Sequence, residues 1–200
     1  MKTLWMILWV ALLPFLTVQR AQAAMLIYMP VVTNQPATQP ADPNATFQLD
    51  HVRLWSAEEN GGVMGAPMRC GKQHKVQVHV FDVQGDSGPQ SRLDGVIVRA
   101  VYQEQDYVVS EFYATGQAGM DAGVVELTVA GLTEISIFTD ANGRPASSHL
   151  ARVTTMPAAI PLPQLVQAGF CQDDESCRQF VNAETCNGQF SWNVVFKRSY

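Results

Sequence analysis

A chain of 200 residues with 13 Lys and Arg against 18 Asp and Glu has a formal net charge of −5 at neutral pH. With neither an excess nor a run of basic residues it cannot neutralise phosphates, which excludes nucleic acid as an expected partner. A hydrophobic share of 47% belongs to a globular chain and excludes a wholly disordered or fibrous one.

The chain opens on Lys2, an apolar run from Leu4 to Leu16, and Ala21-Gln22-Ala23-Ala24. A short positive start, an apolar run of about 7–15 residues and an A-x-A end make a secretory signal peptide, here residues 1–23. The run is too short to span a bilayer core, which takes roughly 20 apolar residues. The expectation is a secreted, extracellular or cell-surface protein that keeps no membrane segment once the signal is cleaved. Residues 24–45 then read as a flexible Pro-rich tether. Their stretch PVVTNQPATQPADPNA has almost nothing to bury and cannot offset its ordering entropy. Asn44-Ala45-Thr46 fits the N-glycosylation pattern. Residues 46–200 suffice for a single domain that buries roughly 70% of its unfolded surface.

That domain reads as strands. Residues 47–55 (FQLDHVRLW) predict a first one, although apolar residues fall on both parities and leave its facing open. In residues 74–83 (HKVQVHVFDV), Val76, Val78 and Val80 share a face. In residues 94–103 (DGVIVRAVYQ), Val96, Val98 and Ala100 point inward and Arg99 outward. Residues 107–114, 124–129 and 134–139 predict three more short strands, and 150–155 a further one. Gly, Asp, Asn and Pro clusters separate them at the intervals of an all-β sandwich.

Between residues 157 and 188 the pattern changes. Pro157, Pro161 and Pro163 predict an extended connector. Asp173-Asp174-Glu175-Ser176 predicts a helix start, with acids where the helix dipole favours them. The helix would run to about Ala183 with Cys177, Phe180 and Val181 turned inward. The last strand, QFSWNVVFKR, places Phe190, Trp192, Val194 and Phe196 on one face. Ser191, Asn193 and Lys197 take the other, with Val195 as the apolar exception. Core packing is the expected use of that aromatic stripe.

Gly85-Asp86-Ser87-Gly88 is the tetrapeptide around the nucleophile of chymotrypsin-like proteases. Such a site needs His, Asp and a late Ser drawn from two barrels. Ser87 instead follows the first expected histidine closely and lies between two strand patterns, so it reads as a turn of φ-permissive residues. His74 and His79 fall on opposite faces of an alternating strand and cannot share a metal. His51 and His149 are isolated. Asp140-Ala141-Asn142-Gly143 lacks the further ligands of a calcium loop and predicts a hairpin turn. Glu58-Glu59-Asn60-Gly61-Gly62 predicts an exposed loop. No catalytic, cofactor-binding or metal-ligating residue is therefore assigned.

Four cysteines in an exported chain, Cys70, Cys171, Cys177 and Cys186, predict two disulfides. A helix of about ten residues holds its ends roughly 15 Å apart, whereas a bridge needs Cα atoms within about 7 Å. That disfavours Cys171–Cys186 and favours Cys171–Cys177 with Cys70–Cys186.

Val80, Asp82, Gly85, Leu93, Gly95, Val96 and Val98, with Thr115-Gly116, Gly119 and the following VVELTV, outline a familiar alternation of valine strands and Asp/Gly turns. Over about residues 70–155 the chain resembles bacterial immunoglobulin-like and carboxypeptidase-regulatory-like (prealbumin-like) domains. It departs from them in the insertion DSGPQSR and in the cysteine-rich tail from residue 171. The resemblance implies a sandwich that spaces, adheres or binds in secreted proteins, and it brings no catalytic residue. The expected fold is thus mainly β: an immunoglobulin-like or prealbumin-like antiparallel β-sandwich with a short disulfide-linked helix near the C-terminus and a C-terminal strand. The expected role is a non-catalytic module, not an enzyme, that binds an extracellular protein or glycan without a cofactor. The alternatives are a carbohydrate binder or inhibitor, and a small secreted hydrolase in which at least two of His51, His74, His79 and His149 converge on a carboxylate.

Overall fold

A computed structural model describes residues 44–61, 74–83, 90–117, 119–182 and 189–198. The expected signal segment, nearly all of the tether, Ser87, Cys70 and Cys186 lie outside the described residues. The described chain is mainly β. In order it forms β1 (Phe47–Leu54), β2 (Lys75–Val83), β3 (Gln90–Arg92), β4 (Ile97–Glu104), β5 (Tyr107–Ala114), β6 (Val124–Thr128), β7 (Leu132–Thr139) and β8 (Ala151–Thr154). Two helices, α1 (Leu162–Gln167) and α2 (Asp174–Asn182), and a last strand β9 (Trp192–Arg198) follow. The first sheet runs β1-β9-β2, with β6 and β3 sharing the far edge of β2; the second runs β5-β4-β7-β8.

Alternation puts the valines of β2 against the aromatic stripe of β9. Val76 stands beside Trp192, Val78 beside Val194 and Val80 beside Phe196, and all six are buried. From the second sheet, Val98, Ala100, Ile135, Ile137, Ala151 and Val153 close on them to form the core. Each fully buried residue of this size contributes about 1.5–3 kcal/mol relative to exposure. On the other face of β9, Lys197 is half-buried and ion-paired with Asp50 at 2.6 Å.

The sandwich is not purely antiparallel. β9 runs parallel to β2, while every other strand pair among the described residues is antiparallel. A parallel pair needs a crossover of a dozen or more residues. All of the chain between β2 and β9, β3 to β8 included, makes that connection, and β9 takes its place between β1 and β2. The two-sided apolar pattern of β1 also finds its cause. Leu49 pairs with Phe196 and His51 with Val195, so Asp50 is a bulge. An extra residue reverses the parity of all that follows, which lets Phe47 and Leu49 face inward together with Val52 and Leu54.

The proline-rich stretch is helical rather than extended. Pro157 opens a 3-10 turn and Pro161 and Pro163 lie at the start of α1. A first helical turn needs no N–H from its residues, so proline begins a helix that it would break further along. α2 starts as its sequence predicts: Asp173 Oδ1 accepts the Ser176 N–H at 2.8 Å. Cys177 and Phe180 are buried and Val181 is half-buried. Cys171 and Cys177 form a disulfide with Cα atoms 5.2 Å apart. Packing holds this region as well, through Leu165 and a cluster in which Phe170 meets Phe190 edge-on at 4.9 Å and Phe180 at 6.2 Å.

The expected strand over 94–103 begins only at Ile97, because β3 comes first and residues 93–95 turn. Gly123 explains how β2 changes neighbours there. Val80 donates its N–H to Gly123 O and accepts from Leu93 N. With φ at +65, a Cβ on Gly123 would lie 2.8 Å from Val80 O and 2.9 Å from Leu93 N; only glycine fits. Asp94 Oδ1 accepts the Gly123 N–H at 2.6 Å, and Thr115 Oγ1 donates to Leu93 O at 2.6 Å. Val80, Leu93, Asp94, Thr115 and Gly123 thus interlock two turns at one end of the sandwich.

Candidate functional site

The sequence-selected residues lie apart. Val83 and Gln90, which flank the serine tetrapeptide, are register partners of an antiparallel pair. Asp140 accepts the Asn142 and Arg144 N–H groups at 2.8 and 2.9 Å, so its carboxylate closes a turn. These backbone donors, Arg144 first, hold its pKa below the ordinary value. Asn60 departs from the exposed-loop expectation: it is fully buried and donates to Gln189 O. Among the described residues no cluster of His, Cys, Asp and Glu could hold a metal ion.

The histidines occupy separate places. His79 lies on the outer face of β2, and His74 immediately precedes that strand and is exposed. His51 and His79 both stand beside Val195 on the outer face of the first sheet. His51 pairs with Asp50 at 2.8 Å, and His79 stacks along Phe81 with centroids 6.4 Å apart. His149 Nδ1 accepts the Leu49 N–H at 3.3 Å.

His74 lines a cleft of about 490 Å³ between the edges β5 and β6. Alternation builds one wall. On β5 the inward positions are Val109, Glu111 and Tyr113, and on β4 they end with Tyr102. Glu111 is the register partner of Ala100 and Tyr113 of Val98, so small residues lie centrally and large polar ones at the edge. Thr128, Val129, Ala130, Gly131 and Thr155 complete the lining. Thr155 is tied back to Gly131, whose N–H it accepts at 2.9 Å.

The Tyr113 hydroxyl donates to Glu111 Oε2. Burial first, then that bond and the adjacent negative charge, push the phenol well above its ordinary pKa, so it stays a proton donor at any physiological pH. The lining carries one carboxylate, one imidazole, two phenols and two threonine hydroxyls, and no Lys or Arg among the described residues. Such a cleft disfavours anions and offers hydrogen-bonding groups beside aromatic faces.

Sequence reasoning passed over Tyr102, Glu111 and Tyr113. One signal was present: Glu111 falls in phase with Val109 and Tyr113, and a charge at an inward position breaks the binary pattern for a reason other than packing.

Fold and cleft together define a two-sheet, mainly β protein with one disulfide among its described residues and a cleft of about 490 Å³ between two sheet edges. Compared with known proteins, the chain matches no family model, no curated protein and no solved structure. Among the described residues no helix is long and apolar enough to cross a membrane.

Proposed function

We propose that the protein is a secreted, non-catalytic extracellular module that binds a neutral, hydroxyl-rich ligand, a glycan segment, between β5 and β6. The observation that carries this reading is the inward Glu111, anchored by Tyr113 beside Tyr102 and His74 in a cleft that no Lys or Arg lines among the described residues. An anchored carboxylate accepts ligand hydroxyls through its remaining lone pairs, and charge-assisted bonds of this kind are the strong ones. The dispersal of the four histidines favours binding over turnover. The export signal and the Cys171–Cys177 disulfide support an extracellular setting. The resemblance to bacterial immunoglobulin-like and carboxypeptidase-regulatory-like domains is in keeping with it.

A glycan array probed with the protein and its Glu111→Gln variant tests the proposal. Neutral glycans should bind, and the variant should weaken them at least about tenfold, the usual scale for a hydrogen bond to a charged group. Binding confined to acidic glycans, or indifferent to Glu111, would overturn it. Release of reducing ends during the incubation would make the protein a hydrolase instead.

A further inference from the structure

The outer face of the second sheet carries a different feature. Alternation there exposes Val108 at 42%, Leu132 at 56% and Phe138 at 48%. Phe112 and Phe138 meet edge-on with centroids 4.8 Å apart, bridging β5 and β7 across β4. Arg99 lies beside them, register partner of Phe112 on one side and of Ser136 on the other.

Arg99 is the anomaly of this face. Lys75, Lys197 and the described arginines 53, 92, 152, 178 and 198 each pair with a carboxylate; of the rest, Arg144 is solvent-exposed. Arg99 is half-buried and, among the described residues, has one bond, from Nη2 to Ser110 Oγ at 3.2 Å, and encloses its Nε without an acceptor. Burying part of a guanidinium against apolar side chains without an anion is costly. A cation kept in that state is a site half-built.

We infer that this face docks a protein partner whose contact segment presents an aspartate or glutamate between apolar side chains, the carboxylate pairing with Arg99 and the apolar groups covering Phe112, Phe138 and Leu132. Arginine is suited to bidentate pairing of a carboxylate at a desolvated interface, and aromatic groups beside it make a typical anchor cluster. A second copy of the chain fits poorly. An isologous contact must be self-complementary, and the carboxylate on this face, Glu134, is held by Arg152 at 2.9 Å. A glycan fits poorly too: the two phenyl rings are inclined by 61° rather than coplanar.

Selection of a random peptide library on the immobilised full chain tests this. The enriched peptides should share an acidic residue flanked by apolar ones. A synthetic peptide of that sequence should lose at least about tenfold in affinity with Arg99→Gln, with Phe138→Ser, or when its own acid becomes an amide, as expected for anchor residues. Glu111→Gln, in the cleft, should leave that affinity unchanged and so keeps the two sites distinguishable. Phe138 is exposed, so its variant decides the matter if Arg99→Gln does not fold. Failure to enrich any peptide, enrichment without an acidic residue, or indifference to both variants would overturn the proposal. So would light scattering that shows a dimer lost on Arg99→Gln.

Discussion

The second sheet, β5-β4-β7-β8, is drawn from residues Ile97 to Thr154, a stretch interrupted only by β6, which joins the first sheet, and a two-residue turn joins β4 to β5. The first sheet sets β1, from the start of the described domain, against β9, from its end, and β9 lies between β1 and β2. One sheet can form from near neighbours. The other stays divided until the last strand arrives, and pairings of high sequence separation are the slow ones. The difference teaches where the molecule is vulnerable: the C-terminal strand occupies the centre of its sheet, and the hairpin strand β5 occupies an edge of the other.

The sharpest way to break this comparison is to cut into β9. Trp192 is buried, stands beside Val76, and donates its indole N–H to Thr154 O at 2.8 Å, so it ties the two sheets together. Trp192→Ala should cost about 3–5 kcal/mol through lost burial and the cavity left behind. Chemical denaturation measures it, and a loss under about 1 kcal/mol would mean that β9 does not close the first sheet.

A smaller effect separates the sheets by pH. His79 lies on the outer face of the first sheet beside Val195. Burial, then the charges of Arg92 and His51, lower its pKa from the ordinary 6.5, with Asp121 opposing. The folded protein therefore takes up this proton at lower pH than the unfolded chain. His79 contributes its full stability above pH 6.5, and that contribution falls as acidification carries the pH down through the folded-state value. Melting curves across this range should show stability declining below pH 6.5 in the wild type, and His79→Gln should flatten the slope. The lowered carboxylates act further down: Glu59, held to about 2 first by Arg53 and then by Ser56, loses its share only as pH drops below about 4.5. A slope unchanged in the variant would assign the effect to another group.

The two sheets were also unequally legible. Strand positions followed from alternation in β2, β4, β5, β7 and β9, because the period of two survives wherever one face is buried. β1 resisted, since the bulge at Asp50 swaps parity within the strand. β3 was missed, being only Gln90 to Arg92. α1 was hidden behind prolines that read as breakers and act as starters. The parallel placement of β9 has no local signature at all, because it depends on where a long crossover returns. The candidate site was legible only as an anomaly. Glu111 is visibly out of character among inward residues, but periodicity does not reveal that β5 is an edge strand facing another edge across a gap. Tyr102, from a different strand, joins the cleft through tertiary structure alone.

The smallest expected effect belongs to the local sheet and has the opposite sign. The β4–β5 hairpin turns through Gln105 and Asp106, between the register partners Glu104 and Tyr107. Gln105 has φ of +53 and is the sole non-glycine residue with positive φ among those described. A two-residue loop with positive φ at its first central position alone is the pattern that calls for glycine there. An L side chain in this region costs about 1–2 kcal/mol. Gln105 is exposed, and the bond it receives, from Gln103 Nε2 at 3.1 Å, goes to its backbone carbonyl and survives substitution. Gln105→Gly should therefore stabilise the protein, by at most about 1 kcal/mol because glycine also loses more freedom on folding. In a domain of this size that is a rise in Tm of about 2–4 °C. A local sheet should feel the change chiefly in its folding rate, whereas Trp192→Ala should act on both rates. A turn variant that lowers Tm would show that the hairpin's backbone is not the one described, and with it that the second sheet does not set its own register.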